Sequence, residues 1–289
     1  MKSKKPENRD NVIVYTPESQ LRHPGQLFNS MYRDLLASRE LAWRLMIRDI
    51  NARYRQSILG FLWAFLPPLA TAATFILLNS NGVINTGEID IPYPVFVMIG
   101  TVLWQVFVES IAAPLNTVIN NKSMLVKINF PREAILLSSL GTLFFDLAIK
   151  IIILAGVFIF YRIPVTSSIF PAFLAVIALM LLGFTIGMVL TPIGVLYGDV
   201  SKALPIITSL WMFVTPVVYT IPQGGLLGHI AYYNPVTPIL AGTRELIVSG
   251  YITDINSFLT IVGITFFVLL VMWVIYRISL PLLIERVSA

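Results

Sequence analysis

The stretch LAWRLMIRDINARYRQSILGFLW, residues 41–63, decides the fold. Its first half reads as an arginine-rich amphipathic helix, and its second half begins an apolar span with no turn signal between them. At about 100° per residue, Tyr32, Leu36, Trp43, Ile47, Ile50 and Tyr54 fall within roughly 60° of one another. Arg33, Arg44, Arg48, Asn51 and Arg55 occupy a separate arc. A helix with one aromatic-aliphatic stripe and one arginine stripe suits the headgroup plane of a membrane. The competing reading, a soluble helix packed on another domain, needs a soluble domain large enough to receive it. None follows in this chain.

Composition sets the class. Of 289 residues, 56% are hydrophobic and 12% charged, against about 25% charged in a soluble domain. Long uncharged apolar runs recur from Ile58 onward, which specifies an all-α polytopic membrane protein. A membrane β-barrel would show short alternating segments instead. There are no cysteines, so disulfides and cysteine-ligated metals are excluded. The N-terminus is polar for too long to read as a cleavable signal peptide, which leaves the first span as the insertion signal.

Residues 1–30 form a polar lead-in, and the interfacial helix covers 31–57. Six spans are expected at about 58–80, 94–116, 134–160, 171–196, 204–221 and 257–277, with a cytoplasmic tail at 278–289. Pro67 and Pro68 fall near the middle of the first span and must bend it. A basic loop with a short helical turn occupies 117–133. Residues 222–250 are too apolar for an exposed loop and too broken by Pro and Gly for a full span. Two short apolar pieces, about 226–233 and 236–248, flank Asn234–Pro235. They read as a re-entrant hairpin before the last span, which needs cover from protein or a water-filled cavity. An interfacial outer loop is the alternative.

Charge gives the orientation. Residues 1–57 hold eleven Lys/Arg and six Asp/Glu, and that excess equals the whole net charge of +5. Seventeen Lys/Arg fall on the side of the N-terminal arm and the 117–133 loop, against Arg162 and Arg244 on the other, with Lys150 inside a span. Positive residues stay inside, so both termini are expected in the cytoplasm. Nucleic-acid binding, the other reading of a basic arm, fits poorly with arginines interleaved with acids on a helix that enters a span.

No catalytic constellation is present, and the chain is expected to be no enzyme. His23 and His229 have no partner motif, and no GxxxxGK[ST] loop exists for ATP. An ion-driven pump wants intramembrane acids. The charges within spans are Glu109, Asp146 and Lys150. Asp146 and Lys150 are i, i+4 on one helix and read as an intramembrane ion pair. Gly183, Gly187, Thr191, Gly194 and Gly198 share one face of the fourth span, which permits close helix approach within the chain or, less readily, between two copies. Trp63, Phe65, Trp104, Trp211, Phe213 and Tyr219 lie near span ends and proline breaks. Such aromatics serve as belts or packing, or line a path on which sugar faces stack.

Four stretches, RYRQSILGFLWAFLPP (53–68), NKSMLVKINFPRE (121–133), YGDVSKALPIITSLWMFVTPVVY (197–219) and YNPVTPILAGTRELI (233–247), together resemble the membrane subunit of ATP-binding-cassette type-2 exporters of O-antigen, capsule and teichoic acid. The resemblance covers most of the chain from about residue 30. It implies a permease homodimer in a bacterial inner membrane, with two separate nucleotide-binding subunits that carry the ATP and Mg; no cofactor is expected in this chain. Arg39, Glu40, Asn121, Lys122, Met124 and Lys127 would lie against the ATPase. Tyr232, Tyr233, Asn234 and Pro235 would form the outer gate, and the six aromatics above would line the channel for a lipid-linked polysaccharide. Arg44, Arg48, Arg53 and Arg55 would meet a lipid pyrophosphate, the ATPase, or both. An exporter of a small molecule or lipid is the nearest alternative, followed by a stand-alone secondary transporter, for which inverted repeats are wanting. A membrane glycosyltransferase would need more than Asp199.

Overall fold

The computed structural model describes residues 24–55, 62–63, 65–82, 89–127, 132–164, 167–221 and 224–288. The lead-in up to residue 23, residues 56–57 of the interfacial helix, and residues 58–61 and 64 of the first span lie outside the described residues. Among the described residues every regular element is a helix: α1 (Pro24–Ala37), α2 (Arg39–Tyr54), α3 (Leu66–Ser80), α4 (Tyr93–Asn120), α5 (Lys122–Lys127), α6 (Glu133–Tyr161), α7 (Ile169–Leu196), α8 (Asp199–Val214), α9 (Gly225–Tyr233), α10 (Val236–Val248) and α11 (Ile255–Ser288).

Among the described residues four helices are long and apolar enough to cross a membrane: α4, α6, α7 and the Ile255–Leu280 part of α11. The central one is α4. Its residues from Val95 to Trp104 are buried without a break, as befits a helix apolar all round. It packs most extensively on α7, then on α6 and α3, while α11 and α10 cover other parts of α7. The α4–α7 contact rests on missing side chains. A Cβ at Gly183 would stand 2.5 Å from the Phe107 carbonyl oxygen, one at Gly187 would run into the Ile111 carbonyl, and one at Gly194 would meet Leu115. The small-residue face is thus spent inside the chain, with Thr191 fully buried on it and only Gly198 standing clear. Hydroxyls on these helices bond back to the preceding turn, as from Ser110 to the Val106 carbonyl and Thr191 to the Gly187 carbonyl, so no donor is lost to the apolar surroundings.

The helices described within the first and fifth expected spans, α3 and α8, are 15 and 16 residues long. In α3 the prolines stand in the first turn, not the middle, where a missing N–H costs nothing because the first N–H groups have no helical partner. At 15 residues α3 is about 22 Å long, less than a hydrocarbon core of about 30 Å. Helix α8 stops at Val214, seven residues before the expected end, because Pro216 forces Thr215 into an extended conformation with ψ 137°. Helix α11, the sixth expected span, overruns its expected end at residue 277 and continues to Ser288. The interfacial helix is two helices, meeting at Ser38 with the backbone still in the α region.

The face α2 buries is not the aromatic stripe. Met31, Ser38, Ala42, Leu45 and Ile50 are buried, and Met46 fills the space over Gly141 of α6, whereas Tyr32, Leu36, Trp43 and Ile47 are exposed. The apolar stripe is left for a membrane or a partner. Ile50 is the one stripe residue drawn inward, and the side chain of Tyr54 is outside the described residues.

Gly187→Leu should cost about 3 kcal/mol, because backbone faces backbone and cannot yield. Gly156→Leu, on an open face with nothing near its Cβ, should leave the midpoint of thermal unfolding in detergent unchanged. Equal midpoints for the two would contradict this packing.

Candidate functional sites at the two ends

The C-terminal end of α4 gathers the basic segments. Asn121, at the corner between α4 and α5, accepts from Arg48 at 2.6 Å and donates to the Thr117 carbonyl. It is buried and ties α2 to the α4–α5 corner. Lys122 is exposed and Met124 half-buried, while the Lys127 side chain lies outside the described residues. Arg39 and Glu40 are exposed, and Glu40 pairs with Arg44 at 2.7 Å. Arg277 of α11 is buried and bridges Glu133 at the start of α6 and Asp34 of α1, each at 2.6 Å. One guanidinium therefore closes α1, α6 and α11 together, a fork geometry that lysine lacks.

Three of the four arginines expected at a lipid pyrophosphate hold acids, Arg44 with Glu40 among them. Arg48 also pairs with Asp49, and Arg53 grips both carboxylate oxygens of Asp146 at 2.9 and 2.8 Å. Arg55 is exposed, with no acid in ion-pair distance among the described residues.

Asp146 and Lys150 do not pair with each other. Asp146 turns to Arg53, and Lys150 reaches across to Glu109 of α4 at 2.6 Å. The i, i+4 spacing allowed a pair within α6, but two inter-helix pairs leave neither Arg53 nor Glu109 uncompensated. A cavity of about 610 Å³ opens between α2, α4 and α6 beside them, walled by Arg48, Arg53, Glu109, Asn116 and Asp146.

At the N-terminal end of α4 the chain breaks between α8 and α9. Residues 215–218 are buried and outside any helix, although the Thr215 amide still donates to the Trp211 carbonyl. Arg244, from α10, donates to the carbonyls of Pro216 and Val217 at 2.8 and 2.7 Å and stacks 4.0 Å over the Phe96 ring. Asn234 completes the joint. Its carbonyl oxygen accepts from the Trp211 indole and the Val236 amide, and its amide donates to Thr215. Asn234 is thus a buried strut, with Pro235, Tyr232 and Tyr233 exposed beside it.

Of the aromatics expected along a channel, Trp104 is buried against Phe107 and Trp211. Trp211 and Tyr219 are half-buried, and Phe65 packs on the core. Trp63 and Phe213 are exposed, with Phe213 near Phe75 of α3. Sequence reasoning counted Arg244 as an ordinary outer charge. Its signal was an arginine between the apolar pieces Pro238–Gly242 and Leu246–Val248. The Arg277 bridge spans more than 240 residues and leaves no local signal.

These broken and paired helices belong to a known class. The family model for ABC-2 type transporters matches residues 40–248, and the chain belongs to that family. It is 26% identical over 243 residues to the O-antigen export system permease protein RfbA of Myxococcus xanthus, covering 81% of this chain and 90% of that one. A protein of the same description from Klebsiella pneumoniae is 27% identical, covering 77% and 85%. The polysialic acid transport protein KpsM of Escherichia coli is 24% identical, covering 73% and 82%.

Glu109→Leu should destabilise by about 3 kcal/mol, because it strands the buried Lys150 ammonium. Lys150→Met should cost less, since Glu109 opens on the cavity, and the double variant should recover most of the loss. Additive losses in chemical denaturation would mean that the pair is not coupled.

Proposed function

We propose that this chain is the permease subunit of an ATP-driven exporter of a lipid-linked cell-surface polysaccharide. The observation that carries the reading is similarity over most of both chains to permeases named for O-antigen export, alongside a transporter of polysialic acid. The working unit is a homodimer in the bacterial inner membrane, with two ATPase subunits supplying ATP and Mg. Both termini face the cytoplasm, in keeping with the seventeen-to-two division of Lys/Arg. The chain crosses six times, α3 and α8 completing the set with the irregular residues at their ends. The α9–α10 hairpin re-enters the outer leaflet, where protein covers its breaks.

The ion pairs support a route for coupling. An ATPase pressing on α5 and on α2 meets Lys122, Arg39 and Glu40. Movement there passes to α4 through Arg48–Asn121 and to α6 through Arg53–Asp146. The exposed apolar faces of α3 (Leu66, Leu69, Leu77) and α8 (Ile206, Ile207, Leu210, Phe213) are left for the second copy and the translocation path. Of the arginines, Arg55 is best placed for a lipid pyrophosphate, because Arg44, Arg48 and Arg53 already hold acids.

The test is reconstitution with the cognate ATPase subunit in proteoliposomes. Outward movement of a lipid-linked glycan should require both ATP and the ATPase; movement by the permease alone would refute the reading. Lys122→Glu should cut recovery of the ATPase subunit in co-purification roughly tenfold, the scale of one lost interfacial charge contact, with the permease's unfolding midpoint unchanged.

A further inference from the structure

Four charges meet around the cavity of about 610 Å³ between α2, α4 and α6. Each of their two pairs joins a buried group to a half-exposed one. The side chains of Asp146 and Lys150 on α6 are 11% and 4% exposed, whereas those of Arg53 on α2 and Glu109 on α4 are 50% and 42% exposed. Arg53, Glu109 and Asp146 all line the cavity. Glu109 feels the charges of Asp146 and Arg53 as well as that of Lys150. The four form one electrostatic cluster, not two isolated bridges.

Such a cluster has a second pairing. Asp146 and Lys150 are four residues apart on one helix, which puts their Cβ atoms about 5–6 Å apart. They can bond one another with no change in the backbone of α6. In the present conformation that exchange would take from Arg53 and Glu109 the partners they now hold, so it is not the resting pairing. Closing the cavity removes the objection. With the end of α2 moved onto α4, Arg53 meets Glu109, and the four charges again make two pairs. The resting arrangement ties α2 to α6 and α6 to α4. The exchanged one ties α2 to α4 and leaves α6 to itself. Two arrangements that compensate the same charges are what a bistable element needs.

The packing of α2 permits that movement at one end. Met46 over Gly141 and Arg48 on Asn121 hold the helix about one to two turns before Arg53. Past Ile50 the described side chains, Asn51, Ala52, Arg53 and Arg55, are exposed. Charge, not apolar packing of these residues, holds the end of α2 on α6. From there the chain runs on toward α3.

We propose that Arg53, Glu109, Asp146 and Lys150 are a two-position ionic latch. With the cavity open, Arg53 holds Asp146 and Lys150 holds Glu109; with it closed, Arg53 holds Glu109 and Lys150 holds Asp146. Lys150 is thus a positioning residue, which takes Asp146 when Arg53 leaves. The proposal rests on the permease reading for its driving force, an ATPase pressing on α2 and α5.

The chain has no cysteine. Ala52→Cys on α2 and Ala113→Cys on α4, both on the cavity wall, therefore report closure through the rate of cross-linking by a short bis-thiosulfonate. In the permease–ATPase complex a non-hydrolysable ATP analogue should speed the cross-link roughly tenfold, the scale of a population shift set by one charge contact. Lys150→Met keeps Arg53 on Asp146 but offers Asp146 no second partner, so the acceleration should vanish while the subunits still co-purify. Arg53→Glu with Asp146→Arg rebuilds the resting bridge but sets like charges together in the exchanged pairing, and should also abolish the acceleration. Adding Glu109→Lys and Lys150→Glu inverts all four charges, permits both pairings again, and should restore it. A purely structural bridge would already be satisfied by the first exchange. In the permease alone, Asp146→Asn releases Arg53 toward Glu109 and should speed the cross-link without nucleotide. Overturning results are a nucleotide-independent rate in a wild-type complex that moves glycan, acceleration retained in Lys150→Met, or an Asp146→Asn rate equal to wild type. Where the charge exchanges do not fold, Lys150→Met and Asp146→Asn decide. Failure of the permease reading shows separately, as absent ATP-driven movement of any lipid-linked glycan by wild type, and the Asp146→Asn measurement then decides alone.

Discussion

Arg244 answers the hardest requirement of this fold, which is that a helix breaks where no water can repair it. Pro216 ends α8 and leaves two carbonyls inside the bundle. Each would cost several kcal/mol unmet in hydrocarbon. A guanidinium supplies two donors from one side chain, and the face of Phe96 accepts its charge. Gly100 of α4 makes room for this, since a Cβ there would collide with the Val217 carbonyl and the guanidinium. The central helix α4, the end of α8 and the outer hairpin therefore meet at one arginine.

The opposite end is held by charge in a similar way. Arg277, Arg53 and Lys150 each join helices distant in sequence: α11 to α1 and α6, α2 to α6, and α6 to α4. Apolar helices in lipid gain little from burying one another, and polar pairs and close small-residue contacts set their register. The Gly183–Gly187 contact fixes α7 against α4, and the ion pairs fix the rest. A load applied to α2 or α5 is thus not confined to them, which is the property a coupling device requires.

Much of the plan was legible. The basic turn at Lys122–Lys127 and the two short helices around Asn234–Pro235 follow from charge, proline and glycine alone. Three boundaries did not follow. Pro67 and Pro68 fit a bent span or a helix start equally well until the residues before them are placed. The end of α8 depends on Pro216, whose signal the following apolar Val217–Val218 obscures. The aromatic stripe of α2 was visible, but which face packs on α6 depends on the Gly141 gap that admits Met46.

The sequence by itself determined the class, the long apolar helices, the skew of charge and the family, because each is written in local composition, period or motif. Tertiary structure alone decided the partners of the charges. Asp146 and Lys150 sit one turn apart, yet Arg53 and Glu109 hold them, since every buried charge must be compensated at once and a pair within α6 would leave two others bare. The same holds for Arg244 and Asn234, whose partners are backbone and side-chain groups exposed only when α8 breaks. A carbonyl orphaned by one element and a donor carried by another are joined by packing, and no window of sequence contains both.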